Sequence, residues 1–217
     1  MKIALIGGTG HLGRGLAIRL AMNGYDVIIG SRGLEKAKRV AEEYNSVLHK
    51  ISSARVRGLA NEDAAEECEI AIFAIPWRHA FSTAEKLRGK LKGKIVISPL
   101  VPMEKDGDVM RISKLPEGSA AQKLASILKD STVICAFNNV PAERFADLNS
   151  KFDWSVAVCG DDDDAKKKVI EIINSIDGLE AFDAGPLSIS SFVEGITPLL
   201  INIMLRNKKK GLGVKFS

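Results

Sequence analysis

The sequence has few of the residues on which disulfide frameworks and metal sites depend. It contains three cysteines and three histidines among 217 residues. Cys68, Cys135 and Cys159 form no C-x-x-C pair, are odd in number and lie in apolar surroundings. No histidine stands in a ligand or nucleophile pattern with a cysteine or a carboxylate. We therefore expect no metal site and no disulfide, and a reducing cytoplasm fits best.

Long apolar runs and charge of one sign are also lacking. The N-terminus lacks the order of charged, apolar and small residues that marks a signal peptide, and the apolar run at residues 196–205 is too short for a bilayer span. The net charge is only +4, and acidic and basic residues are interleaved along most predicted helices. We therefore expect a soluble protein without a membrane or nucleic-acid partner.

What the sequence does have is a glycine cluster between a predicted strand and a predicted helix. Residues 3–6 form an apolar run typical of a buried strand, and residues 12–22 have helical periodicity. Between them, Gly8, Gly10 and Gly13 fit G-x-G-x-x-G, which allows a tight turn, close approach of a pyrophosphate and close packing of helix on strand. The helix N-terminus offers free N–H groups to phosphates. The cluster predicts a dinucleotide site.

The end of the second predicted strand indicates which dinucleotide binds. An NAD site usually places an acidic residue there for the ribose 2′-hydroxyl. This chain has Ser31 and Arg32, with Lys36 one helical turn past Arg32. A hydroxyl and two cations suit a 2′-phosphate and leave the NAD ribose without its acceptor. The sequence therefore predicts NADP as the cofactor.

Strands and helices alternate along the rest of the chain. This pattern predicts an α/β fold, a Rossmann-type doubly wound parallel sheet with a small C-terminal α+β extension. We expect an NADP-binding Rossmann domain at residues 1–150 and an extension at residues 151–217 that completes a second-substrate cleft. Residues 100–118 lack a clear period and are predicted to form a long loop. Pro198 is expected to kink the last helix or to mark its start.

Three further segments are more particular than the glycine loop. They are Ile75-Pro76-Trp77, the Ser-Pro-Leu-Val-Pro sequence at residues 98–102, and the Ala-Gly-Pro-Leu sequence at residues 184–187. Together with the glycine loop and shorter segments along nearly the whole chain, they resemble the NADP oxidoreductases that depend on the deazaflavin coenzyme F420. The resemblance implies an oxidoreductase that transfers a hydride reversibly between NADP(H) and F420. It also implies a homodimer, since small oligomers are usual in that family.

The resemblance assigns residues to two ligands. With the glycine loop, the residues expected to bind the cofactor are Gly8, Thr9, Gly10, His11, Leu12, Gly13, Ser31, Arg32, Lys36, Ile75, Pro76 and Trp77. Among these, Thr9, Ser31, Arg32 and Lys36 would hold the 2′-phosphate, and residues 75–77 would lie toward the nicotinamide. The residues expected in the second-substrate pocket are Ser98, Pro99, Leu100, Asn138, Val140, Ser188 and Ser190, with the C-terminal tail nearby.

Two positions depart from the family pattern on the second-substrate side. Members often carry a histidine where this chain has Asn138 and an arginine where it has Ser191. Asn138 can exchange hydrogen bonds with a ring but carries no charge. The lost arginine weakens a site for an anionic group, and residues 208–210, three lysines, compensate only if the tail folds back. The alternatives left open are FMN, FAD or a small imine or carbonyl substrate in place of F420, and a non-enzymatic NADP sensor.

No acid–base constellation is predicted. Hydride transfer needs two aligned rings, and the chemistry belongs to the cofactors. We therefore expect no catalytic residue, only a cleft in which residues such as Pro76, Trp77 and Pro99 shape the stacked pair. Direct reduction of an imine or carbonyl would need a positioned proton donor, and the sequence offers no convincing one.

Overall fold

Ten strands form in the computed structural model, which describes all residues from 1 to 217. They are β1 (Lys2–Ile6), β2 (Asp26–Ser31), β3 (Val56–Ala60), β4 (Ile70–Phe73), β5 (Ile95–Ser98), β6 (Met103–Asp106), β7 (Val109–Ile112), β8 (Thr132–Cys135), β9 (Trp154–Cys159) and β10 (Leu179–Gly185). The helices are α1 (His11–Met22), α2 (Leu34–Leu48), α3 (Asn61–Glu67), α4 (Trp77–Leu87), α5 (Ala120–Ile127), α6 (Ala142–Ala146), α7 (Asp163–Asn174) and α8 (Ser190–Asn207), the last preceded by a 3-10 turn (Leu187–Ile189).

Eight of the strands form one sheet in the order β10-β9-β8-β5-β4-β1-β2-β3. All neighbours are parallel except β8 and β9, which are antiparallel and paired only at Cys135 and Cys159. The chain moves outward from β1 to β3 and then returns to β4, so the strand order reverses between β1 and β4. Ligands of such sheets bind beyond the carboxyl ends of the strands at this reversal. The predicted Rossmann-type doubly wound fold is confirmed.

The sheet separates two hydrophobic cores. Along β1, Ile3 and Leu5 face the core that includes residues of α1, α2 and α7, whereas Ala4 and Ile6 face the core that includes residues of α3, α4 and α5. This alternation follows from the pleat, and it explains why the strand is apolar throughout. The carboxyl ends of the central strands are consequently held on a rigid, buried base.

The prediction of a long loop at residues 100–118 was wrong in part, because the segment contains a β-hairpin. β6 and β7 pair antiparallel, with Asp106 opposite Val109. Gly107 has φ +57, a left-handed conformation of the kind that the first central residue of a two-residue hairpin turn adopts. The hairpin leaves the main sheet and packs against α8, where Asn202 exchanges two hydrogen bonds with the backbone of Met110.

The last helix contains Pro198 in its interior. It begins at Ser190 and continues through Pro198, so the helix does not start at the proline. The helical segment Leu187–Asn207 has 21 residues and a mean hydropathy of 1.5, and by length and composition alone it could cross a membrane. Of its polar side chains, Glu194 accepts a hydrogen bond from α5 and Asn202 accepts one from the β6–β7 hairpin. One face of the helix is therefore built into the fold.

Candidate active site

The glycine loop after β1 is shaped by contacts that leave little room for side chains. Gly7 has φ +70, and a Cβ on Gly8 would lie 2.6 Å from the Cβ of Leu5. A Cβ on Gly13 would fall on the backbone of Gly8, whereas the space around Gly10 is open. The loop is therefore packed tightly between β1 and α1 and opens only at Gly10, where a pyrophosphate can approach the backbone.

Hydrogen bonds from distant parts of the chain fix the loop in place. The N–H of Gly7 donates to Asn61 Oδ1 (3.1 Å), and the N–H of Gly8 donates to the carbonyl oxygen of Gly30 (3.1 Å). The Tyr44 hydroxyl donates to the Gly8 carbonyl oxygen (3.5 Å). Burial raises the pKa of Tyr44 to about 12, which keeps its hydroxyl a neutral donor. The loop is thus preorganised by β2, α2 and α3.

The N-terminus of α1 has no side-chain cap. Its N-cap residue is Gly10, and its first turn contains no acidic residue. The N–H groups of this turn and the positive end of the helix dipole are therefore directed at the open space beside Gly10. His11, the first residue of the helix, is exposed. This arrangement fits an anionic group such as a pyrophosphate.

Cationic side chains lie where the sequence predicts the 2′-phosphate. Ser31 ends β2, is buried, and accepts a hydrogen bond from the N–H of Gly33 (3.4 Å). Arg32, just before α2, and Lys36, in its first turn, are exposed and pair with no carboxylate, although Lys38 and Arg39 of α2 do form ion pairs. Both charges are therefore available to an anion, and no acidic residue occupies the end of β2.

One large cavity, of about 1010 Å³, opens beyond the carboxyl ends of β1, β4, β5 and β8. The predicted site residues that line it are Gly10, His11, Leu12, Gly13, Ile75, Pro76, Trp77, Pro99, Leu100, Asn138 and Val140. Its volume is at the upper end of the range of about 300–1,000 Å³ that is usual for ligand pockets. The structure thus brings residues predicted for the cofactor and residues predicted for the second substrate into the lining of one cavity.

Other predicted residues lie outside this cavity. Gly8, Thr9, Ser31, Arg32 and Lys36 are not part of its wall and belong to the ends of β1 and β2 and the start of α2.

Three predicted serines are not brought to the wall of the cavity. Ser98 is fully buried at the end of β5, because both faces of this strand are covered. Its Oγ has no hydrogen-bond partner. Ser190 is also fully buried, with its Oγ 2.6 Å from the Oγ of Ser119. Ser188 is exposed in the 3-10 turn. These side chains therefore support or flank the cavity and do not face it.

The Asn138 side chain ties the neighbouring loops together. Its Nδ2 donates to the carbonyl oxygens of Ser98 (3.3 Å) and Leu100 (2.8 Å), and its Oδ1 lies 3.2 Å from the Cys135 thiol, which donates to it. Its own carbonyl oxygen accepts a hydrogen bond from Thr197 Oγ1 (2.6 Å). Both side-chain amide protons are engaged, so the Asn138 side chain shapes the wall of the cavity and has no free N–H of its own for a ring.

The β6–β7 hairpin and Trp77 form another wall. The indole Nε1 of Trp77 donates to the Met103 carbonyl oxygen (3.3 Å), and the Arg78 guanidinium lies 4.7 Å from the centre of the indole ring. Met103 and Met110 of the hairpin both line the cavity. Because thioether and indole side chains are apolar and adaptable, this wall suits the face of a planar ligand.

A buried carboxylate lies behind the α8 side of the cavity. Glu194 is 1% exposed and accepts hydrogen bonds from the N–H groups of Ala120 (3.0 Å) and Ala121 (2.9 Å) at the start of α5. Burial raises the pKa of Glu194 to about 7, against the lowering effect of these two bonds. The side chain is a cap for α5 that also anchors α8.

We expect this carboxyl to make stability depend on pH. Its pKa is higher in the folded than in the unfolded chain, so its favourable contribution is complete below about pH 4.5 and is lost as the pH rises through about 7. The difference in the free energy of unfolding is on the order of 3 kcal/mol. Urea unfolding of the wild type and of Glu194→Gln at several pH values should show this decline only in the wild type. Parallel profiles would contradict the assignment.

Sequence reasoning missed several residues that organise the site. Asn61 is the first residue of α3, after the N-cap residue Ala60, and its side chain accepts a hydrogen bond from the glycine loop. Tyr44 and Thr197 gave no signal, since their bonds to Gly8 and Asn138 cross 36 and 59 positions of sequence. A polar residue directly after a predicted parallel strand, as at Asn61, was the one usable indication.

Comparison with known families matches the first half of the chain to a family model. The model is described as NADP oxidoreductase, coenzyme F420-dependent, and it covers residues 2–102. The chain is 43% identical to an F420-dependent NADP reductase of Methanocaldococcus jannaschii, over 100% of this chain and 98% of that protein. It is 38% identical to an F420-dependent NADP reductase of Methanothermobacter marburgensis, with the same coverage.

More distant similarity extends to other reductases. The chain is 31% identical to the metalloreductase STEAP3 of Rattus norvegicus over 90% of this chain but only 36% of that protein. A solved structure from Arthrobacter sp. FB24, to which an F420-dependent NADP reductase activity is ascribed, superposes with a TM-score of 0.84 at 23% identity and covers 100% of this chain and 99% of that one. At that identity the superposition establishes the shared fold.

Proposed function

Since the chain belongs to the family of F420-dependent NADP reductases, we propose that it transfers a hydride reversibly between NADP(H) and coenzyme F420 in the cavity between the glycine loop and α8. The observation that carries the proposal is the lining of this cavity. It combines Gly10 of the glycine loop with Pro76, Trp77, Pro99 and the loop after β8. Two planar ligands that enter from different sides would meet between these walls.

The residues present fit NADP at one side of the cavity. The open backbone at Gly10 and the uncapped N-terminus of α1 would take the pyrophosphate. Ser31, Arg32 and Lys36, with Thr9 nearby, would take the 2′-phosphate, since the two cations have no carboxylate partner. Ile75, Pro76 and Trp77 would lie along the nicotinamide half.

The second-substrate side fits a flat, largely apolar ring. Pro99, Leu100 and Val140 line the cavity, and Asn138 fixes the loops that present them. Most of the lining is apolar, and its ionisable side chains are His11 beside the glycine loop and four residues on α6 and the C-terminal tail. Such a wall aligns two rings and keeps water away from them.

The residues of this chain act by binding and alignment. When both ligands are bound, the nicotinamide supplies a hydride that the deazaflavin ring accepts. The glycine loop and the cations at residues 31–36 hold one ligand by its phosphates, while Trp77, Pro99 and the hairpin limit the distance and tilt between the rings. No residue of the apolar wall is assigned a proton, so the reaction is proposed to need no general acid or base from the protein.

The proposal also covers the domain organisation, the cellular location and the oligomeric state. Residues 1–150 would form the NADP-binding domain, and residues 151–217, which add β9 and β10 to the same sheet, would complete the second cleft. The protein would be a cytoplasmic homodimer. The exposed apolar side chains of α8, Phe192 (77% exposed) and Leu199 (59% exposed), support a self-association surface on that helix.

The acceptor can be identified by mixing the purified protein and NADPH with F420, FMN and FAD in turn. We expect rapid loss of the visible absorbance of F420 and rates at least tenfold lower with the two flavins. Controls without protein account for direct reaction of NADPH with each acceptor. Bleaching of FMN or FAD alone would refute the assignment of the deazaflavin and leave the NADP site standing.

A further inference from the structure

The C-terminal tail, residues 208–217, folds back across the mouth of the cavity. Lys208 has φ +52, and this left-handed conformation ends α8 and reverses the chain. The N–H of Lys209 then donates to the Met204 carbonyl oxygen (3.0 Å), and the N–H of Leu212 lies 3.4 Å from the Met204 sulfur. The reversal therefore directs the residues after α8 back toward the site.

The tail is anchored by several bonds to the sheet. β8 pairs with β9 only at Cys159, the last residue of β9. The tail lies along the edge of β9 that is left free at the beginning of this strand. There the N–H of Ser155 donates to the Val214 carbonyl oxygen (2.7 Å), and the N–H of Phe216 donates to Ser155 Oγ (2.9 Å). Lys215 pairs with Asp153 at 2.7 Å and with Glu180 at 2.8 Å. The segment is thus held in a defined position.

This position leaves a group of cations at the rim of the cavity. Lys209 and Lys210 line the cavity, are exposed and pair with no carboxylate, unlike Lys215 of the same tail. Arg144 of α6 also lines it and donates to the Gly211 carbonyl oxygen (3.2 Å), with no carboxylate partner of its own. Glu143 is the one acidic residue of the lining, so the rim has a net positive charge.

We propose that Lys209 and Lys210, with Arg144 behind them, bind the anionic arm of the F420 molecule whose ring occupies the apolar wall. The arm carries a phosphodiester and carboxylates, and the cation group is its charge complement. The inference rests on the proposed function. The phosphates of NADP have their own partners at the N-terminus of α1 and at Arg32 and Lys36, so the rim is left for the second ligand.

The test compares F420 with the same deazaflavin ring carrying only its ribityl chain, without phosphate or glutamate. Titration calorimetry of Lys209→Ala/Lys210→Ala should show an F420 Kd raised about tenfold, because two exposed charge contacts each contribute a factor of about three. The Kd values for the arm-less ring and for NADP should not change. Raising the salt concentration should weaken F420 binding to the wild type more than binding to the variant.

Lys167→Ala/Lys168→Ala is the matched control, because it removes the same charge from exposed positions of α7. It should leave all three Kd values unchanged. An unchanged F420 Kd in the tail variant, an equal loss of F420 and arm-less ring, or a loss of NADP binding would each overturn the inference. Failure of the wild type to bind or reduce either deazaflavin would instead refute the proposed function.

Discussion

Replacing Gly10 with aspartate is expected to weaken NADPH binding at least about 100-fold without lowering thermal stability. Gly10 is the N-cap of α1, with open space around it and an extended backbone at φ −101 that any residue can adopt. An aspartate there can accept the N–H groups of the first helical turn and stabilise the helix. Its carboxylate would then occupy the position proposed for the pyrophosphate.

Gly13→Ala is instead expected to lower the stability of the fold. Its Cβ would meet the backbone of Gly8, which cannot move without distorting the turn after β1. We expect a loss of roughly 2–3 kcal/mol in the free energy of unfolding. Thermal melts and NADPH titrations of both variants separate the two effects. A Gly10→Asp variant that binds NADPH normally would contradict the pyrophosphate site. One that unfolds at a lower temperature than the wild type would contradict the expected capping of α1.

Replacing Arg32 with alanine is expected to raise the KM for NADPH roughly thirtyfold, because the 2′-phosphate loses one charge-assisted hydrogen bond. The effect on NADH should be small, because NADH has no 2′-phosphate. Arg32 is exposed between β2 and α2 and pairs with no carboxylate, so its removal leaves no unpaired partner in the protein. The specificity for NADPH over NADH should therefore fall with little change in stability.

Arg39→Ala is the control for the charge of α2. Arg39 lies on the same helix, is exposed and pairs with Glu43, away from the end of β2. Steady-state kinetics with both nucleotides should show no change in their ratio. If Arg32→Ala weakens NADPH and NADH equally, Arg32 does not recognise the 2′-phosphate, and the cofactor assignment at this position is wrong.

Much of the fold could be predicted because its strands and helices carry local signals. The apolar runs of β1 and β4, the helical periodicity of α2 and the glycine cluster each lie in a short stretch of sequence. The β6–β7 hairpin escaped prediction because its strands are only four residues long and β6 is largely exposed and charged. Its Asp106-Gly107 pair was a turn signal, but without apolar alternation on either side it did not indicate strands.

The two sides of the site differed in how much could be predicted. The cofactor side depends on contiguous motifs, at Gly8 to Gly13 and at Ser31 to Lys36, whose chemistry can be read directly. The second-substrate side depends on contacts between distant segments, such as those of Asn138 with Leu100 and Thr197. The burial of Ser98 in the sheet and of Ser190 against Ser119 likewise follows from tertiary packing, which a family motif does not reveal.

The central claim is that one cavity holds both rings in contact, so that the hydride passes directly from one to the other. NADPH labelled with deuterium at C4 of the nicotinamide, on each face in turn, should be incubated with F420 and the protein in ordinary water. For one of the two labels we expect the deuterium to appear in the reduced deazaflavin, as detected by mass spectrometry or NMR. Reduced F420 free of deuterium with both labels would contradict direct transfer between the rings.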